Sequence, residues 1–265
     1  MPSEVTLSST AQPTIAGFDR SAPRSTDDWC LFLDVDGTLL DIAPTPDDVV
    51  VDPSLAGLLQ RVRDALDGAL ALVSGRSLEQ LDALFAPTAW PAAGLHGLER
   101  RDASGRIHHP GPADPALDAA RQSLADVVAR APGALLEDKR HSLALHYRAA
   151  PALEHILRRE IRAIAARLGS AFHVLEGRRV LELKPVAATK ARAIESFLAE
   201  APFAGRRPMF IGDDVTDLDG FAAVEAAGGV SIAVGDRVEA MLRVASPRDV
   251  RVLLADIAER RVTAP

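Results

Sequence analysis

The sequence of 265 residues holds one cysteine, one tyrosine, two tryptophans and only three lysines among its 30 basic residues. A lone cysteine excludes an internal disulfide and fits a reducing compartment. Cys30 opens an apolar stretch and reads as a core residue. No apolar run approaches the ~20 residues that span a bilayer, so no membrane partner is expected. Residues 1–28 are rich in Ser, Thr and Pro and lack both a basic start and an apolar stretch. They read as a flexible tail rather than a signal peptide, and the chain as cytoplasmic. Positive charge is in deficit as well: the net charge is −7, which excludes a basic footprint for nucleic acid. Where arginine is the default cation, Lys139, Lys184 and Lys190 mark places to ask whether a compact ammonium is needed.

What is present is ample apolar material, 48% of residues, enough for one large domain or a domain with an insertion. Short apolar strands alternate with helices in the first stretch: 31–33 as strand, 53–66 as helix, 69–73 as strand, 77–85 as helix capped by Ser77, and a third strand within 91–97. Nearly continuous apolar strands alternating with helices imply a parallel sheet covered on both faces. The rhythm then changes. A hairpin turning at Ser104-Gly105, a helix over 115–131, two strands within 134–148, a helix over 151–168 and a hairpin over 172–183 follow. Within 142–148, Leu143, Leu145 and Tyr147 alternate with Ser142, Ala144, His146 and Arg148, which predicts a sheet apolar on one face only. Residues 101–179 are therefore expected to form an inserted α+β cap with an open-faced sheet, and 29–100 with 180–265 an α/β core. The first rhythm resumes after 180 with helices from 189, from 216 and over 247–260, and strands at 208–212 and 229–234.

Ligands of open parallel sheets bind beyond the carboxyl ends of the strands, and three polar clusters fall at such ends. These are Asp34 and Asp36, then Ser74, then Asp213, Asp214 and Asp217. Side chains two apart on an extended backbone face the same way, so Asp34 and Asp36 can share a site. Crowded carboxylates call for a cation, and hard oxygen ligands suit Mg²⁺ beside a phosphate. Gly37 and Thr38 offer backbone N–H groups, Ser74 a hydroxyl and Lys190 an ammonium near a helix start.

The run DVDGT (34–38), the strand-end Ser74, Lys190 and GDDVTD (212–217), in that order, resemble the four motifs of haloacid dehalogenase-like (HAD) phosphatases. The resemblance implies a Rossmann-like core, a C2-type cap and an aspartyl-phosphate mechanism. Asp34 would be the nucleophile, Asp36 the general acid and base, and Ser74 and Lys190 the groups that steady the transferring phosphoryl. Asp34, the Asp36 carbonyl and Asp213 would hold the Mg²⁺, with Asp214 as a further ligand or a support behind the ligands, and the backbone from Val35 to Thr38 would line the phosphate.

Finer stretches are similar to the trehalose-6-phosphate phosphatase branch: SGR (74–76), GLHG (94–97), EDK (137–139) with HYR (146–148), and LEGRRVLELKP (175–185) ahead of Lys190. The branch implies a sugar phosphate as the small-molecule partner, and a functional pairing with a trehalose-6-phosphate synthase; a monomer is expected. Arg76, His96, Gly97, Glu137, Lys139, His146, Arg148 and Glu182 are the candidate substrate contacts: Glu137, Lys139, His146 and Arg148 each offer hydrogen bonds to hydroxyls, Glu182 reads as a substrate contact or a support behind one, Arg76 as a helix cap or a site residue, and His96 as a site-lining or a core residue. Lys184 reads as a strand-end surface residue, and His108, His109, His141 and His173 as structural or exposed. Two positions depart from the family pattern: Ala191 stands where a glycine is usual, and Leu218 where a glutamate is usual. Aromatics, 4% of residues, leave few candidates for stacking on a sugar ring. Another sugar phosphate (sucrose phosphate, a mannosyl phosphoglycerate, a hexose phosphate) and a catalytically silent regulatory relative are the alternatives.

Overall fold

A computed structural model of the protein describes residues 29–42, 49, 51–108, 115–177 and 179–260. The expected flexible tail, 1–28, and His109 lie outside the described residues.

Strand β1 (Trp29–Leu33) has no polar face to offer water and is buried at four of its five positions. Helix α1 (Pro53–Ala65) starts where Asp52 accepts from the Ser54 amide, with Pro53 in a first-turn place that needs no N–H. After β2 (Leu70–Val73), helix α2 (Leu78–Phe85) opens with a reciprocal capping box: Gln80 N–H donates to Ser77 Oγ, and Ser77 N–H to Gln80 Oε1. Three short strands follow, β3 (Ala92–Gly94), β4 (Glu99–Arg101) and β5 (Ile107–His108). A second group comprises α3 (Ala116–Ala129), β6 (Leu135–Asp138), β7 (Leu143–His146), α4 (Glu154–Arg167), β8 (Phe172–Gly177) and β9 (Val180–Pro185). The chain closes with α5 (Lys190–Leu198), β10 (Arg207–Gly212), α6 (Leu218–Ala226), β11 (Val230–Val234), β12 (Leu242–Val244) and α7 (Pro247–Arg260).

Eight strands form one sheet in the order β12-β11-β10-β1-β2-β3-β4-β5, parallel from β12 to β3 and antiparallel at β4 and β5. Helix α1 packs with α7 and α5 with α6. The scarce aromatics are spent here: Phe32 and Phe203 stack with centroids 5.5 Å apart, and Phe197 lies 5.0 Å from Phe203. Because β1 and β10 are central and adjacent, with Leu33 beside Ile211, their carboxyl ends bring Asp34 and Asp213 together.

The other four strands pair antiparallel as β6-β7-β9-β8. Leu143, Leu145, Tyr147, Leu181 and Leu183 point to one side of this sheet and pack with Leu124, Leu157 and Ile161 of α3 and α4 into a separate apolar cluster. Sheet membership departs from the sequence limits of 101 and 179. The β4–β5 hairpin extends the large sheet, and β9 lies in the small sheet, between β7 and β8. The period-two pattern is the same in either sheet, so alternation alone does not say which sheet a strand joins. The polar face of the small sheet is also less open than its alternation implies: Ser142, Glu182 and Lys184 are all buried.

Candidate active site

Asp34, directly after β1, is buried, and its backbone N–H donates to the Ile211 carbonyl, which anchors it to β10. Its Oδ1 accepts from Lys190 Nζ at 2.6 Å, and the same ammonium donates to Asp217 Oδ1 at 2.5 Å. Lys190 is the first residue of α5, whose Thr189 side chain caps the helix by accepting from the Arg192 amide. Burial pushes the ammonium down, but Asp217 and Asp34 more than offset it, so Lys190 is held charged well above the ordinary lysine range. Asp217 is completely buried, and its Oδ2 accepts the backbone N–H groups of Asp213 (3.0 Å) and Asp214 (2.9 Å). One carboxylate thus fixes both the lysine and the loop that carries Asp213. Space is equally tight. A Cβ on Gly37, where φ is +87°, would stand 2.2 Å from Asp213 Oδ2, so this turn requires glycine.

Oxygens of Asp34, Asp213 and Asp217 lie within 4.8 Å of one another. Burial and then the neighbouring Asp217 and Asp214 charges raise the Asp213 carboxyl to about 6. Burial is also the main cause that raises Asp34, with Lys190 opposing and Asp217 and Asp213 adding. Two buried carboxylates and a half-buried one against one ammonium leave negative charge uncompensated, and the hard oxygen set fits a divalent cation of the Mg²⁺ type. Asp214, expected as a direct ligand or as a support behind the ligands, lies in the cleft wall beside Asp213. Its carboxylate pairs with Arg237 at 3.0 Å and accepts the Val215 amide, because the loop turns at this residue. Asp217 occupies the third place in the cluster; the GDDVTD run contains it, but only the turn after β10 brings it back on the loop.

Asp36 does not face Asp34's lysine. Arg76 holds it with two bonds, Nε to Oδ2 and NH2 to Oδ1, both 2.7 Å. Ser74, buried at the end of β2, accepts the Arg76 amide on its hydroxyl at 3.2 Å. The Gly37 and Thr38 amides, expected to face a phosphate, are used inside the turn, on Leu40 O and Val35 O. The Thr38 hydroxyl instead donates to Asp213 Oδ1 at 3.3 Å.

The cleft above these groups is lined from both sheets. Asp34, Asp36, Ser74, Arg76, His96, Lys190, Asp213 and Asp214 come from the large-sheet unit, and Glu137, Lys139, His146, Arg148 and Glu182 from the small one. Val35, Gly37, Thr38 and Gly97 are not in its wall: the Val35 side chain is in the core, and Gly97 packs against the Thr189 carbonyl. Gln80 and Arg237, which the sequence reading did not single out, are. A left-handed turn at Leu95 (φ 51°), His96 (φ 56°) and Gly97 (φ 97°) presents His96, an outlay of backbone strain typical of ligand sites. His96 Nε2 lies 3.2 Å from Glu182 Oε2, Ser142 Oγ donates to Glu182 Oε1 at 2.7 Å, and Lys139 Nζ stands 3.7 Å from Glu182 and 3.2 Å from the Gly75 carbonyl. Burial pushes the Glu182 carboxyl up, but Lys139, His96 and Ser142 prevail and hold it well below the carboxylate range.

Lys184, expected at the surface, is only 5% exposed, on the polar face of β9 that turns toward the large-sheet unit. Burial lowers its ammonium to about 8 from 10.5, with Glu182 and Asp219 opposing. Between those two pH values the unfolded chain holds a proton that the folded chain has released, so folding stability rises with pH across that window. Lys184→Met is therefore expected to raise stability at pH 7 by about 1–3 kcal/mol. That gain should shrink as the pH climbs from 8 to 10.5, and urea midpoints at pH 7 and 10 check it. A lower midpoint for the variant at pH 7 would contradict the assignment. Of the other histidines, His108 bonds Asp102 at 2.8 Å, His141 is buried, and His173 is half-buried with its pKa lowered first by burial and then by Lys184.

Comparison with known proteins gives a consistent result. A family model described as trehalose-phosphatase matches residues 32–247. The chain is 44% identical over 236 residues to a probable trehalose-phosphate phosphatase of Sinorhizobium fredii, with 88% of each chain covered. It is 43% identical over 229 residues to a trehalose-6-phosphate phosphatase of Escherichia coli, with 86% of each covered. Among solved structures, a trehalose-6-phosphate phosphatase related protein superposes with a TM-score of 0.71 at 26% identity, covering 86% of this chain and 96% of the other. The C-terminal domain of a Candida albicans trehalose-6-phosphate phosphatase shares the fold, with a TM-score of 0.77 at 18% identity over 88% and 92% of the two chains.

Proposed function

Since the chain belongs to the trehalose-phosphatase family, we propose that it hydrolyses trehalose 6-phosphate to trehalose and phosphate, with Asp34 carrying the phosphoryl group between the two half-reactions. The observation that carries this reading is the buried Lys190 bridging Asp34 and Asp217 at the floor of a cleft whose roof is a set of sugar-sized hydrogen-bonding groups.

In the first half-reaction an Asp34 carboxylate oxygen attacks phosphorus while the bond to the sugar oxygen breaks. Asp36 gives that oxygen its proton, and trehalose leaves. In the second, water attacks the phosphorus of the acyl phosphate as Asp36 takes its proton back, and phosphate departs from a regenerated Asp34. Lys190, kept charged by Asp217, faces the transferring group with the Ser74 hydroxyl. Mg²⁺, held by Asp34, Asp213 and Asp217 with the Asp36 carbonyl, would supply positive charge beside the phosphoryl oxygens. Arg76 holds Asp36 at the cleft wall. The small-sheet unit acts as the cap: Glu137, Lys139, His146, Arg148 and Glu182 meet the sugar hydroxyls and exclude water. Work as a monomer in the cytoplasm, in functional pairing with the synthase that makes trehalose 6-phosphate, belongs to the same reading. Among the described residues, no helix is long and apolar enough to cross a membrane.

Phosphate release from trehalose 6-phosphate, with and without Mg²⁺ and beside sucrose phosphate and glucose 6-phosphate, tests the reading. The expected result is Mg²⁺-dependent release with trehalose 6-phosphate preferred; preference for another sugar phosphate would overturn the substrate.

A further inference from the structure

Two arginine–aspartate pairs flank the Lys190 centre. On the β2 side Arg76 grips Asp36, and on the β11 side Arg237, in the loop after β11, pairs with Asp214 at 3.0 Å. The sheet sets this adjacency: β10 and β11 are parallel neighbours, with Gly212 beside Ala233, so the loops that follow them meet. Asp214 stands in the cleft wall for a reason of folding. Its side chain accepts the Val215 N–H and caps the short turn at 215–217, while its own N–H donates to Asp217 Oδ2 at 2.9 Å. That turn is what returns Asp217 to Lys190. The carboxylate is needed where it is, yet its charge adds to a cleft that is already negative. Among the described residues the wall carries six carboxylates against five Arg and Lys side chains, so losing Arg237 would double the excess.

We propose that Arg237 is a positioning residue that acts through Asp214: it holds this carboxylate away from the cation site and offsets its charge beside the incoming phosphate. The guanidinium meets Asp214 Oδ1, the same oxygen that takes the Val215 amide, so cap and ion pair fix one side-chain orientation. Without Arg237, Asp214 is free to turn toward the oxygen cluster that its neighbour Asp213 already joins. A divalent ion would then be drawn more strongly, at the expense of an anionic ester. The two effects have opposite signs, and that separates this role from a structural one. Loss of an arginine that only braced the loop would weaken both ligands; loss of a charge screen strengthens the cation and weakens the anion. The phosphate half of this role rests on the reading of the cleft as a phosphate-handling site; the ion pair does not.

Arg237→Met removes the cation and keeps an extended side chain. In calorimetric titrations without substrate, its Mg²⁺ dissociation constant is expected to fall about fivefold, and that for inorganic phosphate at saturating Mg²⁺ to rise about fivefold. In steady state the KM for trehalose 6-phosphate should rise about fivefold while kcat stays within about twofold. Arg237→Lys keeps the charge and is expected to stay within about twofold of the parent in both titrations. The double variant Arg237→Met with Asp214→Asn deletes the charge to be screened but keeps an oxygen for the Val215 amide. Its Mg²⁺ affinity is expected to return to within about twofold of the parent. Unchanged or weaker Mg²⁺ binding in Arg237→Met, or a double variant that keeps the tighter binding, would overturn the proposal, as would a parent protein that binds neither probe. Because both titrations are free of trehalose 6-phosphate, a parent that binds both probes but releases no phosphate from that ester would strike the functional reading alone.

Discussion

Asp34→Asn is expected to lower turnover of trehalose 6-phosphate by on the order of 10⁴-fold or more while leaving the fold in place. The two halves of that expectation have separate causes. An amide cannot form the acyl phosphate, so the reaction loses its covalent step rather than a share of its stabilisation. The fold survives because Asp34 is buried among like charges, with its carboxyl raised chiefly by burial, so its negative charge is a burden on the folded state. Asparagine keeps the size and an oxygen for Lys190, whose ammonium still has Asp217. A urea midpoint within about 1 kcal/mol of the parent protein, alongside the lost activity, is the expected pair of results. An active Asp34→Asn protein would remove the mechanism.

Asp217→Ala is expected to cost both stability and activity. This side chain makes three bonds in a completely buried place: to Lys190 Nζ, and to the N–H groups of Asp213 and Asp214. Alanine would leave two part-buried amides without their acceptor and a buried ammonium with one partner in place of two. Breaking such a network costs about 3–5 kcal/mol. The same change frees the loop that carries Asp213 and the lysine that faces the phosphoryl, so kcat should fall by about 10²–10³. Asp217→Asn retains an oxygen for one set of partners and is expected to fall between the two. Denaturation midpoints and kcat measured on both variants check this; an alanine variant with parent stability would show that the network carries no load. Gly212 belongs to the same arrangement, since a Cβ there would stand 2.4 Å from the Asp217 carboxyl carbon.

Much of this was legible in the sequence, for local reasons. A strand such as β1, apolar at every position and ending in Asp-Val-Asp-Gly-Thr, declares both a buried parallel sheet and a polar group at its carboxyl end. Lys190 could be singled out because lysine is rare in this chain and this one stands at a helix start after Thr189. What was not legible depends on how distant pieces lie against each other. Nothing local separates Asp214 from Asp217 as partners of Asp34; the tight turn after β10 does, sending Asp214 to Arg237 and Asp217 back to Lys190. Lys184 looks like a surface residue on a strand with polar alternation, and only the closure of one unit over the other buries it. The hairpin β4–β5 and strand β9 carry the same period, so their sheets could not be told apart until pairing was known. Strand β12, three residues with an exposed arginine at its centre, gave no signal of its own.

The most direct measurement stops the enzyme during turnover. Protein mixed with trehalose 6-phosphate and Mg²⁺, quenched in acid and digested at once, should carry phosphate on the peptide that contains Asp34, and the Asp34→Asn protein should carry none. Phosphate found on a different residue, or steady turnover with no phosphorylated peptide at any quench time, would contradict the assignment of Asp34 as the acceptor.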